Sequence, residues 1–155
     1  MKIQEVLEKK GILIDLKARD KTDLLSQMGR FLASLYDLKN IDLILQKIFD
    51  REAQMSTGIG YGIAIPHARL DTIDKVYMIA GRCVQGVDFG AIDELPVNII
   101  FLMLSPTNTA AQLTGILSKL SKIMSYEEIR NNLANAANAE TFFNTLIEGE
   151  NKYVS

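Results

Sequence analysis

One segment of this chain constrains its fold more than any other, because the segment is apolar on both faces. Val97 to Leu104 reads VNIIFLML, and only Asn98 interrupts the apolar run. A strand with one solvent-facing side alternates apolar and polar residues, whereas a strand covered on both sides does not. Helical patterns lie before and after this segment. We therefore predict an α/β protein, a three-layer α/β/α sandwich with a mixed sheet of about five strands.

The helices of this sandwich are predicted from apolar residues at helical spacing. One stripe follows Asp20, whose side chain can cap a helix N-terminus, and a second stripe covers Ile41 to Phe49. A third helix is predicted from about Thr109, directly after the apolar strand. Ser125 and Glu128 form a capping-box pattern, which predicts the start of a further helix.

Two other strands are predicted before the apolar segment. Gly62 to Ile65 reads as a short strand, and Lys75 to Gln85 reads as a longer one, rich in Val, Ile and Tyr. No helical pattern separates the longer strand from Val97, so we expect the two to pair antiparallel through a turn at residues 87–90. Cys83, the only cysteine, is predicted to be a small buried residue of the longer strand.

Size and composition exclude several classes of protein. A length of 155 residues suits one domain, and we predict a single domain over residues 1–155. The net charge of −2 comes without a cluster of Lys or Arg, so no nucleic-acid partner is expected. One cysteine excludes an internal disulfide framework and suits the cytoplasm. Neither a signal peptide nor a run of about 20 apolar residues is present, so no insertion into a membrane is expected.

The chemistry of this chain is predicted to lie in residues 56–69, which read STGIGYGIAIPHAR. Three glycines at alternate positions lead into a short apolar run, and His67, the only histidine, follows Pro66. A neutral imidazole carries a lone pair that can accept a phosphoryl group. The glycines are equally compatible with a plain helix-to-strand loop that needs positive φ values. The sequence alone leaves both interpretations open.

Other sites that use glycine loops or a histidine do not fit this stretch. No Lys-Ser or Lys-Thr follows the glycines, and the stretch joins a helix to a strand, the reverse of a dinucleotide-binding loop. A metal site needs further ligands, and neither a second histidine nor a nearby cysteine accompanies His67. We therefore expect no metal and no cofactor. Asp88-Phe89-Gly90 is interpreted as a turn.

Donors for a phosphoryl group on His67 stand close to it in the sequence. Arg51 ends a helix just before the glycines and can reach an anion held beside His67. Ser56 and Thr57 offer hydroxyl groups, and amides of the glycine loop, from Gly58 onward, can turn N–H groups toward an anion. Arg69 and Lys75 are interpreted as solvated surface charges.

In this order, the residues resemble a known active-site signature. Arg51-Glu52, residues 56–67, Gly86–Phe89 and Pro96–Leu102 are similar to type-2 (fructose/mannitol-type) enzyme IIA domains of the bacterial phosphoenolpyruvate-dependent phosphotransferase system. The resemblance covers nearly the whole chain. It implies a five-stranded mixed sheet with helices on both sides, and phosphorylation of His67 on Nε2 by a histidine-containing phosphocarrier protein. It further implies transfer to a cysteine of a sugar-transporter domain, or use of the phosphoryl group as a regulatory mark.

One position departs from the pattern of that family. The family usually has a second histidine near the start of the helix after the central strand, and Gln112 stands in that place. A glutamine amide can donate a hydrogen bond to a phosphate oxygen, so Gln112 belongs to the predicted phosphate-binding residues. It can neither carry positive charge nor relay a proton. We therefore expect phosphoryl transfer by this chain to be impaired.

Three functions remain open at this point. Residues 13–18 and then Lys21 resemble the nitrogen-related regulatory branch of the family, as does the lack of a fused membrane or carrier domain, and we favour that branch. The main alternative is a free-standing, sugar-specific enzyme IIA. A non-catalytic binding module with the same fold is the third. The expected partners are the phosphocarrier protein and either a transporter domain or a regulatory target.

Overall fold

The computed structural model describes residues 1–154. Its strands are β1 Ile12–Leu13, β2 Gly58–Gly60, β3 Ile63–Ala64, β4 His67–Leu70, β5 Tyr77–Val87 and β6 Val97–Pro106. Its helices are α1 Lys21–Leu35, α2 Ile41–Gln54, α3 Ala110–Met124, α4 Glu127–Ala134 and α5 Ala139–Tyr153. None of the helices within residues 1–154 combines the length and the apolar character that crossing a bilayer requires.

The central strand of the sheet is β6, as its apolar sequence predicts. Its residues are buried except for Asn98, which is only partly covered. β5 pairs with one edge of β6 in antiparallel fashion, with Ile79 opposite Leu102, and this confirms the expected pairing. β3 and β4 both pair parallel with the other edge. The path across the sheet is β1-β5-β6-β3-β2, and β4 lies beside β6 off this path.

Different helices cover the two faces of the sheet. α1 and α2 pack on one face, where Met28 and Leu102 share a buried cluster. α3, α4 and α5 cover the other face, where the rings of Phe101 and Phe142 lie 6.5 Å apart, centroid to centroid. Burial of such a side chain stabilises the fold by about 1.5–3 kcal/mol. The three-layer α/β/α architecture is confirmed, with six strands in place of about five.

Two predicted helix caps have different outcomes. Asp20 caps α1 as expected, because its Oδ1 accepts a hydrogen bond of 2.8 Å from the backbone N–H of Asp23. The capping box predicted at Ser125 is wrong. The Ser125 hydroxyl donates to the carbonyl oxygen of Lys122 at 2.6 Å, in the last turn of α3. α4 begins two residues later than Ser125 and follows Tyr126, whose side chain makes no capping bond.

Pro66 divides one edge of the sheet into two short strands. Ile63 of β3 lies opposite Ile99, and His67 of β4 lies opposite Met103, both along the same edge of β6. Proline has no N–H to donate to a ladder, but the carbonyl oxygen of Pro66 accepts a bond of 3.0 Å from the Met103 N–H. The strand predicted from residue 62 to 65 is therefore reduced to residues 63–64, and His67 begins a new strand.

Candidate active site

The glycine stretch folds into a short hairpin that joins α2 to the sheet. β2 pairs antiparallel with β3, and the turn between them holds Tyr61 and Gly62 at φ values of 59° and 81°. Gly60 has a φ of 96°, which only glycine adopts at little cost. Asp93 fixes the turn, since its Oδ2 accepts a 2.8 Å bond from the Tyr61 N–H. The interpretation of a segment that needs positive φ is thus confirmed.

Gly58 is needed for close packing. A Cβ atom at this position would lie 2.8 Å from the Cβ of Ala91, closer than real side-chain contacts allow. The Gly58 N–H donates to Oγ of Ser56 at 3.1 Å, and the Ser56 hydroxyl donates to the carbonyl oxygen of Phe89 at 2.8 Å. These contacts hold the hairpin against the turn at residues 88–91.

A buried carboxylate connects the hairpin to the end of α2. Glu52 is only 7% exposed, and its Oε2 lies 2.8 Å from Nζ of Lys21. The same oxygen accepts a 2.8 Å bond from the Thr57 N–H, and Oε1 accepts a 2.5 Å bond from the Thr57 hydroxyl. Two hydrogen-bond donors of Thr57 and the Lys21 counter-ion compensate the desolvation of this carboxylate only while the hairpin keeps its position. Glu52 therefore holds Thr57, the residue directly before β2, at the end of α2.

His67 is half-buried at the break between β3 and β4. Its Nδ1 atom lies 2.9 Å from the carbonyl oxygen of Ile65. A carbonyl oxygen can only accept a hydrogen bond, so Nδ1 carries the proton of the neutral ring. The lone pair of the neutral imidazole is then on Nε2, which is the nitrogen that can act as a nucleophile.

An open cleft of about 490 Å³ surrounds the His67 side chain between β4 and the second half of α2. It is lined by three cationic side chains, one carboxylate and one amide besides the histidine and Ala68: Lys47, Arg51, Arg69, Asp50 and Gln54. The cleft therefore has a net positive charge, which favours an anion. Within residues 1–154, no group of three or more His, Cys, Asp or Glu side chains is arranged to hold a metal ion.

This environment lowers the pKa of His67 below its ordinary value of 6.5. Burial is the largest cause, because it disfavours the charged imidazolium. The positive charges of Arg51 and Arg69 lower the pKa further, while the Ile65 carbonyl and the Glu52 carboxylate raise it and offset only part of the effect. At neutral pH the ring is therefore uncharged and its Nε2 lone pair is available.

Arg51 is the predicted phosphate-binding residue that the structure brings to His67. It stands in the last turn of α2 and lines the same cleft. Its Nη1 donates a 2.9 Å hydrogen bond to the carbonyl oxygen of Met55, which fixes the guanidinium plane. Nε and Nη2 have no hydrogen-bond partner among residues 1–154, so both can donate to a bound anion.

The other four predicted phosphate-binding residues do not line the cleft. In the hairpin, hydroxyl and amide donors are already engaged with protein acceptors at Ser56, Thr57 and Gly58. Gln112 lies in the first turn of α3, where it is exposed and has no hydrogen-bond partner within the described part of the chain. The role of these four residues toward a phosphoryl group stays a prediction.

Sequence reasoning missed two of the cleft's cations. Lys47 stands four residues before Arg51 on α2, so both side chains share one helix face. Arg69, interpreted as a solvated charge, stands two residues after His67 on β4, so both side chains share one strand face. Both spacings are visible in the sequence. They predict a shared cleft only once α2 is known to pack beside β4.

Comparison with known proteins points to one family. A family model described as "Phosphoenolpyruvate-dependent sugar phosphotransferase system, EIIA 2" matches residues 5–149. The fructose-specific EIIA component of Haloferax volcanii is 35% identical over 107 residues, which are 69% of this chain and 70% of the relative. The crystal structure of nitrogen regulatory protein IIA-Ntr from Neisseria meningitidis has a TM-score of 0.88 and 32% identity, and the match covers 93% of this chain and 98% of that one.

A longer relative contains a similar region. The fructose-specific EIIABC component of Bacillus subtilis is 31% identical over 146 residues, or 94% of this chain, but this chain spans only 23% of that protein's length. Relatives named for fructose and for nitrogen regulation thus match this chain over more than nine-tenths of its length. As its signature residues implied, the chain belongs to the EIIA 2 family of the phosphoenolpyruvate-dependent sugar phosphotransferase system.

Proposed function

We propose that this chain is a phosphocarrier that accepts a phosphoryl group on Nε2 of His67 from a histidine-containing phosphocarrier protein. The observation that carries this proposal is the unprotonated Nε2 of a half-buried ring in a cleft lined by Lys47, Arg51 and Arg69. Residues 1–155 act as a single IIA domain in this proposal. The role is regulatory and nitrogen-related, which the extensive likeness to the Neisseria meningitidis IIA-Ntr structure supports.

In the transfer step, the Nε2 lone pair of His67 attacks the phosphorus atom of the donor's phosphohistidine. A new N–P bond forms as the donor's N–P bond breaks, and the donor's nitrogen takes that electron pair. No proton has to leave Nδ1 of His67, so its bond to the Ile65 carbonyl persists through the step. Phosphoryl transfer needs mainly alignment and stabilisation of charge, and the strand break supplies the alignment.

Arg51 supplies the directed part of the charge stabilisation. A phosphohistidine carries about −1.5 to −2 charge if it behaves like other phospho-groups. The Nε and Nη2 donors of Arg51 can bind two phosphate oxygens at once, and a hydrogen bond to a charged group contributes about 1.5–3 kcal/mol. Lys47 and Arg69 add positive charge to the same cleft, and of the two only Lys47 lacks a planar fork.

A partner protein also needs exposed surface beside His67. Met55, whose carbonyl oxygen accepts the hydrogen bond from Arg51, is 73% exposed and offers apolar surface to such a partner. The name of the Bacillus subtilis relative joins A, B and C components in one protein. By analogy, the alternative to a regulatory target is a B-type transporter domain as the acceptor, and the two fructose-named relatives favour this alternative.

A reconstituted phosphorylation cascade tests the proposal. The chain is incubated with labelled phosphoenolpyruvate, enzyme I and the phosphocarrier protein, and the label is then chased with excess unphosphorylated carrier. We expect acid-labile label on this chain that returns to the carrier during the chase. A chain that binds the phosphorylated carrier without taking label is a binding module, which contradicts the proposal. Rapid loss of label to a fructose-type B domain would replace the regulatory role with the sugar-specific one.

A further inference from the structure

A second cavity, of about 220 Å³, lies on the face of the sheet that α3, α4 and α5 cover. Its walls come from the hairpin turn, the adjoining ends of β5 and β6, and one side of α4. Ile99 of β6 lines it, whereas Met103 of the same strand lies opposite His67. At about 3.3 Å per residue, these two positions are about 13 Å apart along the strand. The cavity is therefore separate from the active-site cleft.

A buried cation forms the inner wall of this cavity. Arg82 is only 8% exposed. Its Nε donates to the Ile14 carbonyl at 3.2 Å. Its Nη1 donates at 2.7–3.2 Å to the carbonyl oxygens of Leu133 and Ala134 at the end of α4 and of Ala136 just after it. These bonds fasten α4 to the sheet. They leave Nη2 without a hydrogen-bond partner and the guanidinium without an ion pair among residues 1–154.

The carbonyl partners of Arg82 do not neutralise its positive charge. Carbonyl oxygens at a helix C-terminus carry only partial negative charge, equivalent to roughly half an elementary charge for the whole end. A buried guanidinium is normally matched by a carboxylate or another anion, because desolvating an unpaired charge is costly. The fastening of α4 accounts for Nε and Nη1. No buried side-chain nitrogen or oxygen among residues 1–154 lacks a hydrogen-bond partner, so Nη2 is not a buried orphan but is accessible from the cavity, where it can meet an anion.

A second guanidinium faces the same cavity. Arg130 of α4 stacks on the ring of Tyr61, with Cζ 4.3 Å from the ring centroid, and its Nη1 donates to the Met124 carbonyl at 2.7 Å. It too forms no ion pair within the described residues. The exposed amide of Asn131 stands beside it. Glu127 lines only an adjoining outer groove and has no ion-pair partner in residues 1–154.

We propose that this cavity binds a small organic carboxylate, held between Nη2 of Arg82 and the guanidinium of Arg130. Guanidinium forks match the planar geometry of a carboxylate. Ile99 and the largely exposed Val84 offer apolar surface for a short carbon body. A volume of about 220 Å³ lies below the roughly 300–1,000 Å³ of pockets that hold drug-sized ligands, so the acid must be small.

Calorimetric titration at low ionic strength tests this site in the unphosphorylated chain. The probes are pyruvate, succinate, glutamate and inorganic phosphate. We expect at least one of the three carboxylates to bind saturably at one site per chain. Arg130→Gln should weaken this binding at least tenfold, which is the loss of about 1.4 kcal/mol. Arg30→Gln, a matched change at an exposed arginine of α1, should leave it unchanged.

Amide NMR shifts provide a second readout, because Arg82→Gln removes the fastening of α4 and can unfold the chain. Arg82→Lys keeps the charge and shortens the reach, so it should weaken the same carboxylate while the spectrum stays folded. Binding should shift the amides of Gly62 and Asn131 in the wild type. The proposal is overturned if no carboxylate binds, if phosphate alone binds, or if Arg130→Gln binds as tightly as Arg30→Gln.

Discussion

The Nδ1 atom of His67 lies 2.9 Å from the carbonyl oxygen of Ile65, which stands on the other side of Pro66. This contact exists because β3 ends at Ala64 and β4 begins at His67, so the intervening residues leave the regular strand path. The bond assigns the ring proton to Nδ1 and the lone pair to Nε2. The break in the strand therefore determines which nitrogen can take a phosphoryl group.

The titration of His67 gives a direct check on its environment. Since the chain contains one histidine, an untagged protein shows a single imidazole titration by NMR. We expect a pKa below 6.5, mainly because burial disfavours the imidazolium. Arg69→Gln should raise that pKa, because it removes a positive charge that lowers it. A wild-type pKa at or above 6.5 would contradict the assigned geometry.

The lowered pKa of His67 makes the free energy of unfolding depend on pH. The folded pKa lies below the value of about 6.5 in the unfolded chain, so the unfolded chain binds the proton first as pH falls. The contribution of His67 to the free energy of unfolding is thus complete above about pH 6.5 and is lost as pH falls toward the folded pKa. In urea unfolding at about pH 7.5 and about pH 5.5, the wild type should lose more stability than His67→Gln. Equal losses would exclude this linkage.

Arg51→Lys should slow phosphorylation of the chain. Lysine keeps the positive charge, but it loses the planar fork and the bond that fixes the side chain to Met55. Loss of one charge-assisted hydrogen bond, about 1.5 kcal/mol, corresponds to about a tenfold slower labelling rate. Arg30→Lys on α1 is the matched control and should label at the wild-type rate. Equal rates for both variants would make Arg51 a surface charge only.

Gln112→His tests whether the departure from the family pattern matters. A second imidazole there could bind a phosphate oxygen and, when protonated, offset its charge, since charge-assisted bonds are roughly twice as strong as neutral ones. We expect faster phosphoryl exchange with the carrier protein, with the larger gain below about pH 7. Thr114→His adds a histidine to another exposed position of α3 and should change nothing. An unchanged rate in Gln112→His at every pH would remove Gln112 from the site.

Two glycine-to-alanine variants test the packing of the hairpin. Gly58→Ala places a Cβ 2.8 Å from that of Ala91, so we expect a loss of about 1–3 kcal/mol in the free energy of unfolding. Gly115→Ala, in the exposed interior of α3, meets nothing within 4 Å and should gain about 0.5–1 kcal/mol from helix propensity. Denaturant unfolding measures both. A tolerated Gly58→Ala would show that the hairpin can move away from Ala91.

Features that depend on local pattern could be predicted from the sequence. The two-sided apolar run identified β6, and Asp20 marked the start of α1 because a cap acts within a few residues. The Ser125 capping box failed because the Ser125 hydroxyl turns back to the preceding helix and donates to the carbonyl of Lys122, instead of accepting a bond from an N–H at the start of α4. A spacing pattern does not reveal which of the two helix ends the hydroxyl will bind.

Features that depend on distant contacts could not be predicted. Arg82 lies in a strand predicted from its Val, Ile and Tyr residues, and its partners at the end of α4 and just after it stand about fifty residues later in the chain. Likewise, three cations surround His67 only because α2 packs beside β4: Lys47, Arg51 and Arg69. The family resemblance predicted roles for His67 and Arg51, which line the same cleft, but it gave no signal for the other two cations.

The identity of the phosphorylated residue is the central claim, and intact-mass spectrometry tests it most directly. Wild type and His67→Ala are each incubated with phosphoenolpyruvate, enzyme I and the phosphocarrier protein, and matching thermal unfolding curves verify that both are folded. We expect the wild type to gain one acid-labile phosphate and His67→Ala to gain none. Equal phosphorylation of the two proteins would contradict the assignment of His67 as the acceptor.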